Sequence, residues 1–349
     1  MCPFLIIGQG LAGTTLAFHL LKNGASIEII NNPELPSSSK VAGGMFNPVT
    51  GKHLAKTWLV DTLYPYLHSF YSEIEDLTND RFLFSIPIYR PFKNEQQKNQ
   101  FTKAIEKHDL KDYCEVVEEQ TTLSKGIDNS LGGILTKHSG RLDVKNFLKA
   151  SEVHFGKLGI LREGQFEPDQ IIHNTSSVTY KAKEYEKIIF CEGAMAQHNK
   201  YFNWLPFNPV KGETIDFKME LDIDLIINQG KWFMPLGNGQ YKAGSTYVWH
   251  ELDQIVTEKG KEIITEGLQQ FLKTPIQITG QEAGVRPATK DRRPFSGPHP
   301  EFRNLYIFNG LGTKGVSLAP FLAKNLAEHL ILGKEIDQET TIARHYALY

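Results

Sequence analysis

At 349 residues the chain is longer than one typical core, and two closely joined domains are expected. Hydrophobic residues make up 40% and charged residues 22%, the balance of an ordinary globular protein. The 38 basic against 40 acidic side chains leave a formal charge of −2, which excludes a global field that would draw in nucleic acid or an anionic membrane.

Residues 3 to 7 form an apolar run ending at a glycine, the pattern of a central strand in a parallel sheet. The run is too short for a signal-peptide core and no basic segment precedes it. A helix over 11 to 23 follows, with Leu16, Leu20 and Leu21 on one stripe and Gly24 at its C-terminal cap position. Ile27 to Ile30 is a second strand, so the first thirty residues make one right-handed strand, helix, strand unit. Asn31 to Gly51 is rich in Ser, Pro and Gly and long enough to be a functional loop. Leu59, Leu63, Leu67, Phe70 and Ile74 keep helical spacing through about residue 76.

From 81 to 140 the pattern changes to short strands, such as 82 to 88, and one charged helix near 94 to 108. A similar texture runs from 213 to 283, with strands at 213 to 218, 232 to 236 and 240 to 248 and a helix near 256 to 272. Strands flanked by helices return at 187 to 191 and 305 to 308. The expected organisation is a discontinuous domain of 1–80, 141–212 and 284–349, with a second domain of 81–140 and 213–283. No repeat or low-complexity tract interrupts it. Cys2, Cys114 and Cys191 form no C-x-x-C pair and no metal-ligand spacing, so free thiols and no metal site are expected. No apolar stretch approaches the roughly 18 residues of a membrane span, and a cytoplasmic location is expected.

Gly8-Gln9-Gly10-Leu11-Ala12-Gly13 follows the first strand at Ile7 and opens the first helix, the context in which such a motif binds a dinucleotide. Gly8 permits the turn, Gly10 lets a pyrophosphate approach the backbone, and Gly13 lets helix and strand pack closely. The helix tip then offers free N–H groups and a partial positive charge to phosphates. The ribose-binding acid expected after the second strand is replaced by Asn31 and Asn32, whose amides accept a hydroxyl proton without charge assistance.

A second glycine cluster, Gly310-Leu311-Gly312-Thr313-Lys314-Gly315, follows the 305 to 308 strand and opens a helix over 316 to 332. A helix tip with a nearby lysine suits the negative charge that a reduced flavin gathers on its pyrimidine edge. Nicotinamide gains no such charge, which distinguishes this arrangement from that of an NAD-dependent dehydrogenase.

Further segments complete a series: Ser37 to Met45 (SSSKVAGGM), Phe190 to Ala194 (FCEGA), Pro209 to Glu213 (PVKGE), and Gly284 to Asp291 (GVRPATKD) with Pro294, Gly297 and Ala319-Pro320. Taken in this order, the series resembles the D-amino-acid-oxidase-like FAD-dependent oxidoreductases. That family includes glycine oxidase, sarcosine oxidase, D-amino acid dehydrogenase and the oxidase half of the bifunctional tRNA wobble-uridine enzyme. The resemblance spans nearly the whole chain. It implies an α/β fold of the α+β two-domain kind, in which a Rossmann-type FAD-binding domain joins a substrate domain with a mixed antiparallel sheet.

By that resemblance Ser38, Ser39, Gly43, Gly44 and Met45 wrap the pyrophosphate and flavin, and Gly193 closes the sheet near the adenosine half. Some members attach the flavin through a cysteine at the position that is Gly284 here, so a non-covalent FAD is expected. Arg286 resembles the arginine that clamps the substrate carboxylate, a task for a planar fork. Holding the carboxylate sets the α-carbon hydrogen over flavin N5, which is catalysis by orientation. Lys314 resembles a lysine near the flavin pyrimidine and substrate carboxylate, and Lys242 one near N5 used in oxygen reduction, although a solvent-facing lysine fits that strand equally. Trp232 stands where glycine oxidase has a tyrosine, which implies a different or larger amine. His53, His138 and His250 fall in no metal or triad pattern. Asp291 is expected to brace the Arg286 turn, and Cys191 to lie buried beside the sheet.

The function expected is oxidation of a small carboxylate-bearing secondary or D-amine to an imine by hydride transfer to FAD, with electrons passing to oxygen or another acceptor. No nucleic-acid partner and no membrane span are expected. The rival readings are demodification of a tRNA wobble-uridine side chain, an NAD-dependent dehydrogenase, and a flavoprotein subunit without catalysis of its own.

Overall fold

The computed structural model describes residues 4–51 and 53–349. Two sheets dominate it. The first has six strands in the order Leu161–Glu163, Ile27–Asn31, Phe4–Ile7, Lys187–Phe190, Leu305–Asn309 and Phe295–Pro298. The first five run parallel and the last antiparallel. Phe4, Leu5, Ile6 and Ile7 are all buried, because both faces of the central strand are covered and an unbroken apolar run is required.

Alternation along these strands assigns the two faces. Phe4, Ile6, Ile189, Tyr306 and Phe308 join a core built with the helices Leu11–Lys22, Val60–Thr78, Val144–Lys157 and Gly315–Leu332. Leu5, Ile7, Ile188, Phe190 and Ile307 face the other way, against Val178, Tyr180 and Tyr185 of a three-stranded antiparallel layer spanning Ile171–His173, Val178–Tyr180 and Lys183–Tyr185. The first helix packs so closely on its strand that a Cβ on Gly13 would overlap the Gly8 carbonyl oxygen. Any side chain there would push the helix off the sheet.

The second sheet has eight strands, in the order Gln277–Arg286, Val210–Lys218, Gln240–Gly244, Lys231–Gly237, Ile226–Gln229, Ile88–Pro91, Gly133–Thr136 and Cys114–Val117. Only the Ile226–Gln229 and Ile88–Pro91 pair is parallel. Ile215, Phe217, Phe233, Tyr241 and Ala243 point to one face and pack with Ile264 and Leu268 of the helix Glu258–Gln269. The residues between them, Thr214, Trp232 and Gly244, point to the opposite face with Gly284 and Arg286.

Several elements depart from the expected pattern, among them the unforeseen strands Ile226–Gln229 and Gln277–Arg286. The helix Val144–Lys157 was unforeseen, although Asp143 caps it by accepting from Asn146 N and Val144, Phe147, Leu148, Ser151 and Phe155 hold helical spacing. The antiparallel layer over 171–185 consists of strands of three residues each, too short to carry a readable period. The strand expected over 240 to 248 ends at Gly244.

Candidate active site

A cavity of about 1240 Å³ lies between the two sheets. Its walls are the tip of the first helix, the 31–51 loop, the free face of the eight-stranded sheet, the 192–198 turn and the tip of the last helix. The two helix tips stand side by side: a Cβ on Gly315 would be 3.2 Å from Leu11 Cδ1. Two partial positive charges therefore face one space.

Ile7, Gly8, Gly10, Leu11 and Ala12 line the cavity. Gly13 does not; it lies beneath the turn, where its role is packing. The first helix has no side-chain cap and no acid in its first turn. Leu11 N donates to Ser39 Oγ at 3.3 Å, which ties the short helix Ser38–Val41 across the tip. Asn31 and Asn32 both reach the cavity. Asn31 Oδ1 accepts from Gln9 N at 3.1 Å and so braces the glycine turn, while Asn32 Nδ2 donates to Gln165 Oε1 at 3.0 Å.

Ser38, Ser39, Gly43, Gly44, Met45 and Gly193 line the same space, as do Leu311, Gly312, Thr313, Lys314 and Gly315. Gly310 stands apart from the cavity, packed at a turn against Thr289 and Pro294 with a φ of +77°. Gly193 is anchored through its carbonyl oxygen, which accepts from Asn309 Nδ2 at 3.0 Å.

Arg286 ends its strand with a half-buried guanidinium on the cavity wall. Nη2 donates to Ser245 Oγ at 2.9 Å and Nη1 to Thr246 O at 3.3 Å, and Cζ lies 4.6 Å from the Tyr247 ring centroid. Among the described residues no carboxylate pairs with it. Burial lowers its pKa, and Tyr247 opposes that shift. Lys314 is also half-buried and, among the described residues, has no carboxylate partner; its Nζ approaches Thr57 Oγ1 at 3.4 Å. Burial and then the charge of Arg293 lower its pKa. Trp232 lies between two glycines, with Cη2 2.6 Å from a Cβ placed on Gly43 and Cζ2 2.9 Å from one placed on Gly244.

Lys242 is on the cavity face of its strand but does not line the cavity and does not face solvent. Its buried Nζ pairs with Asp216 Oδ1 at 2.8 Å and Glu282 Oε2 at 2.9 Å. Glu282 also binds Lys145 at 2.6 Å. Asp291 braces the turn that follows Arg286, its Oδ1 accepting from Arg293 N at 3.0 Å, and its other oxygen pairs with Arg344 at 2.9 Å, tying down residues 341–348. His53, His138 and His250 are exposed. Cys191 is buried and its thiol pKa is raised by burial.

Two lining residues escaped the sequence reading. Burial pushes the Glu192 pKa up to about 7, against a hydrogen bond from Asn199 Nδ2 at 2.6 Å. Arg90 lines the far lobe of the cavity. Glu192 lies within the FCEGA segment, and Arg90 alternates with Tyr89 on a strand whose parallel neighbour, Ile226–Gln229, carries little pattern of its own. Among the described residues no group of His, Cys, Asp and Glu is placed to hold a metal, and no helix is long and apolar enough to cross a membrane.

Residues 4–329 match the profile of the family described as FAD dependent oxidoreductase. The bifunctional protein MnmC of tRNA 5-methylaminomethyl-2-thiouridine biosynthesis from Leptospira interrogans is 24% identical over 401 residues, which cover 97% of this chain and 59% of the relative. Glycine oxidase of Pseudomonas aeruginosa is 30% identical over 135 residues, covering 38% of this chain and 37% of the relative. The chain thus spans less than two thirds of these curated relatives. Among solved structures, glycine oxidase from Bacillus cereus superposes with a TM-score of 0.77 at 19% identity, covering 96% of each chain; at that identity the likeness speaks for the fold.

The residues fit FAD. In the opening turn of the first helix Leu11 N donates to Ser39 Oγ, and with no N-cap side chain the N–H groups that follow it are left for phosphate. Gly10 presents bare backbone to the cavity, with Ser39 Oγ the one neighbour a Cβ would meet, at 3.3 Å. At the other end Lys314 and the tip of the last helix offer positive charge to the same cavity.

Proposed function

Because the chain belongs to the FAD dependent oxidoreductase family, we propose that it oxidises a small secondary or D-amine bearing a carboxylate. The observation that carries this reading is the Arg286 guanidinium, held in the cavity wall by neutral partners only. A buried cation without a counter-ion favours an anionic ligand, and a planar fork suits a carboxylate.

FAD, when bound, supplies a hydride acceptor. Arg286 holds the substrate carboxylate and thereby fixes the α-carbon, so that catalysis rests on orientation. Trp232 walls the amine side of the pocket, and its N–H is the one polar group it offers. Lys314 offsets negative charge gathered at the last helix tip. The substrate loses a hydride and a proton to become an imine, which water hydrolyses, and the electrons pass to oxygen or another acceptor. With Gly284 at the place of the family's attachment cysteine, the cofactor is held without a covalent bond.

Anaerobic reduction of the bound flavin by a panel of N-methyl, D- and cyclic amino acids tests the reading. Bleaching by at least one of them in the native protein, and its loss in Arg286→Ala, are expected. Unchanged reduction in the variant removes Arg286 from its role.

A second reading, action on a tRNA wobble-uridine side chain, draws support from the similarity to MnmC along 97% of the chain. The formal charge of −2 gives it no electrostatic help. A gel shift with tRNA at moderate salt separates the two.

A further inference from the structure

The far lobe of the cavity contains a cation for which the reading above has no use. Ile88 and Arg90 share the cavity face of their strand, opposite Thr136 and Ile134 of the next. With Val49 and Leu54 they line one part of the cavity.

Arg90 is half-buried, and its bonds are few. Nη1 donates to Gly51 O at 2.9 Å, and Cζ lies 4.6 Å from the Phe101 ring centroid. Among the described residues no carboxylate pairs with it. Of the other cations on the cavity wall, Lys145 binds Glu282 at 2.6 Å and Lys149 binds Glu152 at 3.2 Å, whereas Arg286, Lys314 and Lys40 share with Arg90 the lack of a carboxylate partner among the described residues. A guanidinium with five donors and one recorded acceptor leaves most of its fork unused. Burial lowers its pKa, and Cys114 opposes that shift. Keeping a cation in that state is unfavourable unless a ligand completes it.

Position gives the ligand's shape. The Arg286 guanidinium lies over Gly212 on the Val210–Lys218 strand, four strand spacings from Ile88–Pro91, on the order of 19 Å between backbones. The Arg90 guanidinium lies over Phe101, on the outer side of its strand, so that end does not shorten the gap, and apolar Ile88 lies along it with Trp232. We infer that the substrate's amine carries an apolar arm ending in an anionic group, and that Arg90 receives that group while Arg286 holds the carboxylate. This inference rests on the proposed carboxylate-binding role of Arg286. The terminal group is an oxyanion, either a second carboxylate or a phosphate.

Spectral titration of the FAD-loaded protein with unreactive acids tests this without turnover. The probes are sebacate, dodecanedioate, their half methyl esters and an ω-phosphonoalkanoate of matching length. Each diacid is expected to bind on the order of tenfold more tightly than its half ester. Arg90→Gln should abolish that ratio and Arg90→Lys should keep part of it, with flavin content and melting temperature confirming that both variants fold. Preference for the phosphonate over the dicarboxylates would identify a phosphate-bearing arm. Equal binding of diacid and half ester, a ratio that survives in Arg90→Gln, or no binding by any of these acids overturns the inference. Loss of half-ester binding in Arg286→Ala is a separate reading; if that fails, the carboxylate role of Arg286 falls whatever Arg90 does.

Discussion

The Arg286 guanidinium occupies the space above Gly212 where a side chain would stand: a Cβ at position 212 would overlap Nη1, Nη2 and Cζ of Arg286. The two residues lie on paired strands, with Val210 opposite Arg286 and Gly212 opposite Gly284. Absence of a side chain at one position therefore sets the direction of the fork at the other.

Gly212→Ala is expected to displace Arg286 without unfolding the sheet. KM for a carboxylate-bearing amine should rise by about tenfold to a hundredfold, as in Arg286→Ala. The double variant should be little worse than either single one, since both remove one interaction. Steady-state kinetics on the three variants checks this.

Lys242→Met tests the chain of charges beside the cavity. It leaves Asp216 and Glu282 facing each other without the shared ammonium, and the loss of stability should be about 3–5 kcal/mol, read by urea unfolding. Reoxidation of the reduced flavin by oxygen should stay at the native rate, because the ammonium does not line the cavity. A marked slowing would restore Lys242 to the chemistry.

Lys314→Met removes an unpaired cation at the tip of the last helix. The flavin midpoint potential should become more negative by about 30 mV, equivalent to about 1.4 kcal/mol for two electrons. Equilibration with a reference dye measures it.

Glu192 gives a pH signature. Its folded-state pKa of about 7 lies above its ordinary value of 4.5. Folding therefore favours the protonated form, and the stability this contributes is full below about pH 4.5 and is lost as pH rises through 7. Glu192→Gln should cancel that loss, gaining up to about 1.4 kcal/mol per pH unit over the native protein within that window. Thermal unfolding of the flavin-free protein across pH 5 to 8 checks the sign.

Much of the site could be read from spacing, because glycines mark close approaches. Gly8 to Gly13 and Gly310 to Gly315 announce two strand-to-helix turns, and both tips reach the cavity. What escaped were roles decided by tertiary neighbours. Whether Lys242 meets solvent, flavin or carboxylates depends on Glu282, which reaches it from another strand forty residues on. Arg90 could not be assigned a face while its parallel partner strand was unrecognised. The Val144–Lys157 helix had its cap and its stripe, but the strong glycine motifs on either side drew attention away from it.

Neighbouring strands of the parallel sheet begin at residues 4, 187 and 305, and the second helix tip at the cavity belongs to the final helix, Gly315–Leu332. A growing chain therefore cannot assemble the cofactor cradle until residue 332 has left the ribosome. Until then Phe4–Ile7 has no partner from residue 187 onward on one edge, and its apolar surface needs shelter. Cofactor capture is thus a late event in the life of each new molecule, and nascent chains stalled short of residue 305 should remain colourless.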